Sequence, residues 1–192
     1  VCSSDLNAHA PMYEDDIALN ADGMIARFDI RGDAVDFDIR YVETDRYKAE
    51  KAARRALFGR YRNPFTDDPS VAGVDRTVAN TTPVWHAGRL FMTKEDGLGH
   101  EIDPHTLETV GKWTFGGALR SPTFTAHPRI DEETGEMFFF GYEAGGLCST
   151  DVAYGIADRD GNLVSEQWFS QPYCSTIHDF LITEIWYTST CA

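Results

Sequence analysis

Short alternations of apolar and polar residues run through most of the chain, and they predict β-strands. The stretch GMIARFDIRGDAVDFDIRYVET, residues 23–44, alternates on both sides of an Arg-Gly-Asp sequence, which predicts a β-hairpin. Four later segments share a simpler plan, in which Gly, Asp or Pro separates two apolar runs. Strand–turn–strand units are therefore predicted over residues 82–97, 99–115, 126–144 and 153–169.

One segment of the chain departs from the strand pattern and has the pattern of a helix. The segment DRYKAEKAARRALFG, residues 45–59, is rich in helix-forming residues and predicts one short helix, capped by Asp45 and closed by Gly59. Its charged side chains, Lys48, Lys51 and Arg55, are expected to face solvent.

Recurring short antiparallel strands with tight turns indicate a large all-β protein, either a propeller or a sandwich. The unit recurs loosely, without a strict sequence repeat. In a propeller, loops from distant parts of the chain meet at one axis. A metal site on that axis would take one ligand from each blade, with tens of residues between ligands.

Composition narrows the classes of partner. The chain has 192 residues, 42% of them apolar, and 31 acidic against 17 basic residues, with a formal charge of -14. That acidity argues against nucleic acid or an anionic membrane as the main partner. No apolar run reaches the 18 residues that predict a transmembrane helix. Four cysteines without a CxxC pair favour a reduced, cytoplasmic setting.

The two ends of the chain look unusual. Residues 1–6, VCSSDL, have the sequence that a translated sequencing adapter would encode, and they are excluded from the fold prediction. The last residues, IWYTSTCA, end without a turn or cap. Residues 7–192 are therefore expected to be part of a longer domain.

The chain has six histidines as candidate metal ligands, and their spacing excludes a helical HExxH pair and a zinc finger. His86 and His105 fall in predicted turns and are expected at the surface, whereas His100 at a strand start fits either account. His127 and His178 each follow a polar segment and precede an apolar strand. Spacing alone leaves these two as either loop residues or metal ligands.

The motif order decides between those alternatives. The segments YRNPFTDDPSV, ANTTPVWHAGRLFMTKEDG, EIDPHTLETVGKW, SPTFTAHPRIDEETGEMFFFGY and STIHDFLITE occur in the order found in the carotenoid cleavage oxygenase family. The chain resembles the lignostilbene dioxygenases of that family from about residue 11 to residue 184. This resemblance implies an incomplete seven-bladed β-propeller domain with one short helix, of which the chain is the N-terminal portion.

The resemblance also implies an iron site. Family members hold a non-haem Fe(II) with four histidines, and His127 in TAHP and His178 in HDF match the first two. Neutral imidazoles suit Fe(II). Glu95 matches a glutamate that hydrogen-bonds an iron-ligating histidine other than the first, and Thr81 matches a small side chain that narrows access to one open iron position.

The subfamily assignment depends on Lys94 and Tyr61. In lignostilbene dioxygenases the matching lysine and tyrosine contact the 4-hydroxyl of the phenol ring of the substrate. An ammonium near a phenol favours phenolate, which pushes electron density toward the alkene that O2 cleaves. The subfamily also has an N-terminal aromatic contact, and here no aromatic residue follows Tyr13 in the matching stretch.

Three functions remain open from the sequence. The first is Fe(II)-dependent cleavage of a 4-hydroxystilbene, or of a smaller 4-hydroxyphenyl alkene, into two aldehydes or carbonyls. The second is cleavage of an apocarotenoid by the same chemistry, and the third is an inactive propeller scaffold or binding module. The 192-residue chain by itself is expected to be inactive, because its metal site and its sheet edges would be incomplete.

Overall fold

The computed structural model describes residues 8–183 and 187–191, and the N-terminal segment 1–6 lies outside these ranges. Within them the chain forms one α-helix, α1 at Asp45–Ala53, and otherwise strands and turns. Short 3-10 turns lie at Ala18–Asn20, Pro64–Thr66, Pro69–Val71 and Phe115–Gly117. The strands are β1 Met24–Arg31, β2 Ala34–Tyr41, β3 Thr82–His86, β4 Arg89–Thr93, β5 His100–Ile102, β6 Thr109–Lys112, β7 Arg129–Ile130, β8 Met137–Tyr142, β9 Asp151–Ala157, β10 Leu163–Ser170, β11 Ile177–Ile182 and β12 Tyr187–Cys191.

The strands form four separate antiparallel units. Strands β3 to β6 make one four-stranded meander, and β7 to β10 make a second, in which neighbours in the sequence are neighbours in the sheet. Hairpins β1–β2 and β11–β12 flank them along the sequence. The predicted all-β class and every predicted strand pair are confirmed. Within the described residues the sheets do not close into a ring, as expected of a partial propeller domain.

Strand β8 shows what holds neighbouring sheets together, since each of its six residues is buried. Successive side chains on a strand point to opposite faces. Phe139 packs in a cluster with Val84 of the preceding sheet, whereas Phe140 packs with Phe180 of the following hairpin. The uninterrupted apolar sequence MFFFGY is therefore the core of a sheet that is covered on both faces.

The β1–β2 hairpin is covered on one face only. Ile25 packs in a cluster with Met92 of the first four-stranded sheet. The other face pairs Phe28 with Phe37 across the strands, with ring centroids 4.8 Å apart. That face exposes large apolar side chains to solvent: Phe28, Ile30, Val35, Phe37 and Ile39.

The turn between β3 and β4 corrects one sequence prediction. Ala87 and Gly88 both have positive φ, 50° and 73°, as a tight two-residue hairpin turn requires. His86, predicted to be a surface turn residue, is instead the buried last residue of β3, with Nε2 3.0 Å from the Gly135 carbonyl oxygen. The prediction was wrong because the turn is confined to the next two residues. His105, predicted in the same way, is an exposed turn residue.

Helix α1 is shorter than predicted. Its N-cap is Thr44, whose hydroxyl accepts from the Tyr47 amide at 3.1 Å, and Asp45 is its first residue. It ends at Ala53, and Arg54 adopts the left-handed conformation that terminates helices. Gly59 therefore does not close it.

The early helix end has a side-chain cause. The buried Glu50 carboxylate accepts from the Leu57 and Phe58 amides at 2.8 and 3.0 Å, which holds those residues in a non-helical turn. The predicted solvated face is confirmed, since Lys48, Lys51 and Arg55 are exposed.

No helix in the described part of the chain is long and apolar enough to cross a membrane.

Candidate metal and phenol site

Two histidines from different sheets meet at one point. His127 lies two residues before β7, and His178 is the second residue of β11. Their Nε2 atoms are 3.3 Å apart, and their rings are nearly perpendicular, with centroids 4.8 Å apart. His127 is half-buried and His178 is exposed, so the point between the two nitrogens is open to small solutes.

A buried carboxylate stands behind His178. Glu95 follows β4, and its Oε2 lies 3.2 Å from Nδ1 of His178. A carboxylate only accepts hydrogen bonds, so His178 donates from Nδ1 and keeps the lone pair of Nε2 directed toward His127. Glu95 is buried, although a glutamate in a Lys-Glu-Asp-Gly turn would ordinarily be exposed.

A hydroxyl stands behind His127. Thr82, the first residue of β3, places Oγ1 3.4 Å from Nδ1 of His127. Since a hydroxyl can donate or accept, this contact is compatible with either tautomer of the His127 ring. Thr81 is the exposed residue directly before β3, and its amide donates to the Thr93 carbonyl at 3.1 Å.

The histidine pair fits two adjacent ligands of one divalent ion. Two imidazole nitrogens at about 2.0–2.1 Å from an ion are about 2.8–3.4 Å apart when they occupy neighbouring octahedral or tetrahedral positions. The observed separation of 3.3 Å lies in that interval. No group of three or more His, Cys, Asp or Glu side chains in the described ranges forms a complete metal cage. Within the described ranges His127 and His178 are therefore a pair of imidazoles that would need further ligands to complete a metal site.

Lys94 directly precedes Glu95 and contacts the half-buried Tyr61. Nζ of Lys94 lies over the Tyr61 ring, 5.1 Å from its centroid, and donates to the Leu19 carbonyl at 3.1 Å. Lys94 is fully buried, and the Tyr61 hydroxyl is buried without a hydrogen-bond partner among the described residues. A buried hydroxyl without a partner is costly, which makes it a candidate contact for a polar ligand atom.

Burial sets the protonation behaviour of this pair. It lowers the pKa of the Lys94 ammonium, while the nearby charges of Asp96 and Glu95 partly oppose the shift. Burial also raises the pKa of the Tyr61 hydroxyl well above its usual range, and the charges of Asp96 and Glu95 add to that rise. Tyr61 therefore stays protonated as a donor, and the Lys94 ammonium loses its proton more readily than an exposed lysine does.

An ion pair that the sequence pattern does not predict lies beside this site. Arg62 pairs with the buried Glu143 and donates to the Tyr142 hydroxyl at 3.0 Å and to Thr176 at 3.3 Å. It thereby joins the Tyr61 segment to the end of β8 and to the segment before His178. The sequence offers only the position of Arg62 directly after Tyr61 as a signal for this role. The partners Glu143 and Thr176 are 81 and 114 residues away, so local pattern does not reveal the pairing.

The remaining described histidines and cysteines lie elsewhere. His100 is buried as the first residue of β5, and burial lowers the pKa of its imidazole. Cys148 and Cys174 are exposed and free.

Comparisons with known proteins agree with the motif order. A family model described as retinal pigment epithelial membrane protein matches residues 4–188. The isoeugenol monooxygenase of Pseudomonas putida is 51% identical over 88% of this chain and 35% of its own length. The lignostilbene-alpha,beta-dioxygenase isozyme III of Sphingomonas paucimobilis is 47% identical over 91% of this chain and 36% of its own length.

A solved structure supports the fold. The crystal structure of the Pseudomonas brassicacearum lignostilbene dioxygenase superposes with a TM-score of 0.87 and 44% identity, over 93% of this chain and 37% of that one. The chain thus spans about a third of the length of the relatives it matches.

Proposed function

The chain belongs to the retinal pigment epithelial membrane protein family, and from that premise we propose that it is the N-terminal part of a non-haem Fe(II) dioxygenase. The proposed reaction is cleavage of the alkene of a 4-hydroxystilbene, or of a smaller 4-hydroxyphenyl alkene, by O2 into two carbonyl products. Relatives named for lignostilbene and for isoeugenol support this substrate class. The observation that carries the proposal is the convergence of His127 and His178, with Glu95 behind the second ring.

The proposed iron ligands in this chain are His127 and His178. Glu95 holds the His178 ring so that Nε2 remains available as a ligand, and Thr82 supports the ring of His127. A ferrous ion, when bound, supplies the chemistry that activates dioxygen. Thr81 is proposed to narrow the approach to that position, since it directly precedes Thr82. The other ligands are proposed to come from the part of the domain that this chain does not include.

The proposed phenol contacts are Tyr61 and Lys94. The unpartnered Tyr61 hydroxyl donates to the 4-oxygen of the substrate, and the Lys94 ammonium, which lies over the Tyr61 ring, faces that oxygen and favours its phenolate form. Opposite charges at close range favour the ionised phenol. The negative charge is delocalised along the conjugated system to the alkene, which makes that bond more reactive toward an oxidant.

The decisive test uses the complete domain that contains this chain, loaded with Fe(II). Oxygen consumption and carbonyl products are measured with 4-hydroxystilbene and with its 4-methoxy ether, for the native protein and for Lys94→Met, whose unbranched side chain is one atom shorter and uncharged. We expect Lys94→Met to lower kcat/KM for the phenol roughly 10- to 100-fold and to leave the ether unchanged. Equal rates on the phenol in both proteins would contradict the phenol role.

The same assay separates the alternatives. Cleavage of an apocarotenoid without cleavage of the stilbene would favour the second substrate class. Iron binding by the complete domain without turnover of either compound would favour the scaffold or binding role.

A metal titration tests the histidine pair independently of activity. Binding of Co(II) to the 192-residue chain is followed by calorimetry for the native chain, for His127→Ala and for His105→Ala, whose histidine lies in an exposed turn. We expect His127→Ala to abolish binding and His105→Ala to retain it. Equal affinity in all three proteins would refute the pair as ligands.

A further inference from the structure

Two exposed cysteines, Cys148 and Cys174, contact one buried carboxylate that is not part of the proposed ligand set. The Cys148 amide donates to Oε1 of Glu143 at 3.0 Å, and the Cys174 thiol donates to the same oxygen at 3.1 Å. Cys148 belongs to the loop between β8 and β9, and Cys174 belongs to the segment between β10 and β11. The fold thus brings two cysteines that are distant in the sequence to a single atom.

We propose that Cys148 and Cys174 are a redox-active pair that closes to an intramolecular disulfide, with Glu143 accepting the proton of Cys174. This site is independent of the metal and substrate roles proposed above. Cytosolic disulfides in ordinary proteins are usually transient and redox-sensing, which suits an exposed pair better than a structural bond.

The contacts assign different roles to the two thiols. The hydrogen bond to Glu143 raises the pKa of the Cys174 thiol to about 11, so this sulfur keeps its proton at neutral pH. Cys148 contacts Glu143 through its amide, which leaves its own sulfur at the surface. Cys148 is therefore the thiol that reacts first with an oxidant, and Cys174 is the thiol that resolves the product.

The reaction with oxidised glutathione is balanced as follows. The Cys148 thiolate attacks one glutathione sulfur, which forms a mixed disulfide and releases one glutathione thiolate. Cys174 then attacks Cys148, its proton passes to the Glu143 carboxylate, and the second glutathione leaves as a thiolate. Glutathione takes up the protons, so two protein thiols are oxidised and one glutathione disulfide is reduced.

The surroundings allow both steps. Arg62 pairs with Glu143 and holds the carboxylate in place. A disulfide needs Cα atoms about 4.4–6.8 Å apart. Gly145 and Gly146, just before Cys148, give that loop the backbone freedom to reach such a separation, and Gly146 already has a φ of 120°.

The bond would tie together two loops beside the proposed active site. Leu147, next to Cys148, borders the groove that Arg62 and Asp96 also line. Cys174 lies four residues before His178. Closure therefore restrains the chain segment that leads directly into β11.

The test uses the full chain with Cys2→Ser and Cys191→Ser, so that only the proposed pair remains. After incubation with oxidised glutathione we expect both thiols to disappear from a thiol titration. The intact mass should fall by two hydrogens, the protein should stay monomeric by non-reducing electrophoresis, and dithiothreitol should reverse the change. Retention of both thiols, addition of two glutathiones, or a disulfide-linked dimer would each overturn the proposal.

Further variants in the same background test the assigned roles. Cys174→Ser should stop at one glutathione on Cys148, whereas Cys148→Ser should react much more slowly. Glu143→Gln should accumulate the mixed disulfide, whereas Glu132→Gln, an exposed control, should close normally. Faster glutathione addition to Cys174 than to Cys148 would refute the order of attack. Circular dichroism of each variant verifies that the fold is retained.

Discussion

His127 and His178 differ in the group that holds each ring. A carboxylate supports His178 at 3.2 Å, whereas a hydroxyl supports His127 at 3.4 Å. A charged acceptor makes a stronger hydrogen bond and raises the basicity of the opposite ring nitrogen. His178 is therefore expected to be the more firmly oriented of the two proposed ligands.

This difference predicts the effect of Glu95→Gln. A neutral amide accepts a weaker hydrogen bond, so we expect the Co(II) affinity of the chain to fall about 10- to 100-fold. Calorimetric titration measures the change, with Glu132→Gln as the matched control at an exposed turn position. An unchanged affinity in Glu95→Gln would show that the carboxylate does not act through His178.

His100 predicts a dependence of stability on pH. Burial lowers the pKa of its imidazole below the ordinary value of 6.5. At a pH just below 6.5, the unfolded chain therefore binds a proton at His100 more readily than the folded chain does. The contribution of neutral His100 to the free energy of unfolding is fully present above the unfolded pKa of 6.5. It is lost as the pH falls from that value toward the lower pKa of the folded chain.

Urea unfolding at pH 7.5 and pH 5.5 tests this sign. We expect the native chain to lose more unfolding free energy between the two pH values than His100→Gln does. The exposed His105→Gln should behave like the native chain. If His100→Gln and the native chain show the same loss, the burial of His100 does not affect stability in this range.

Helix α1 shows how one side chain can determine an element boundary. Its sequence favours helix through Phe58, and the chain nevertheless turns after Ala53. The Glu50 carboxylate accepts hydrogen bonds from the Leu57 and Phe58 amides. It also lies 3.6 Å from the Arg46 guanidinium, one helical turn earlier. Both charged side chains are buried, so the helix contributes a polar network to the interior.

This network predicts a large loss of stability in Glu50→Ala. The change leaves Arg46 as a buried charge and two amides without an acceptor, and we expect it to cost about 3–5 kcal/mol of unfolding free energy. The control is Glu43→Ala, which removes an exposed pair with Lys51 and should cost at most about 1 kcal/mol. Urea denaturation distinguishes the two, and equal losses would contradict the role of burial.

At the scale of the whole molecule, the candidate site is assembled from units that follow one another along the sequence. Tyr61 follows the helix, Lys94 and Glu95 follow β4, and His127 and His178 lie at the start of two later units. Stacking of the sheets through their apolar clusters brings these positions together. Within the described part of the chain, nothing covers the apolar side of the β1–β2 hairpin.

That face predicts self-association of the isolated chain. Contiguous exposed apolar side chains on a hairpin favour burial against another surface. We expect sedimentation velocity to show a weight-average mass that rises with concentration, and the double substitution Ile30→Thr with Phe37→Thr to reduce it. Substitution on the opposite face, Arg31→Thr with Asp36→Thr, serves as the control. A monomer at every concentration would contradict this expectation.

The sequence by itself determined the local structure of this protein. Alternation and turn residues are local properties, so they predicted the β1–β2 hairpin and the strand–turn–strand units of both four-stranded sheets. The order of motifs identified the family, and it selected His127, His178, Glu95, Lys94 and Tyr61 before any geometry was known.

Only the tertiary structure decided which side chains meet. The end of α1 at Ala53, the burial of His86, the Arg62–Glu143 pair and the two cysteines on one carboxylate each depend on residues far from one another or on the exact extent of a turn. Local pattern contains no information about such contacts, because they arise when sheets stack and bring distant segments within hydrogen-bond distance.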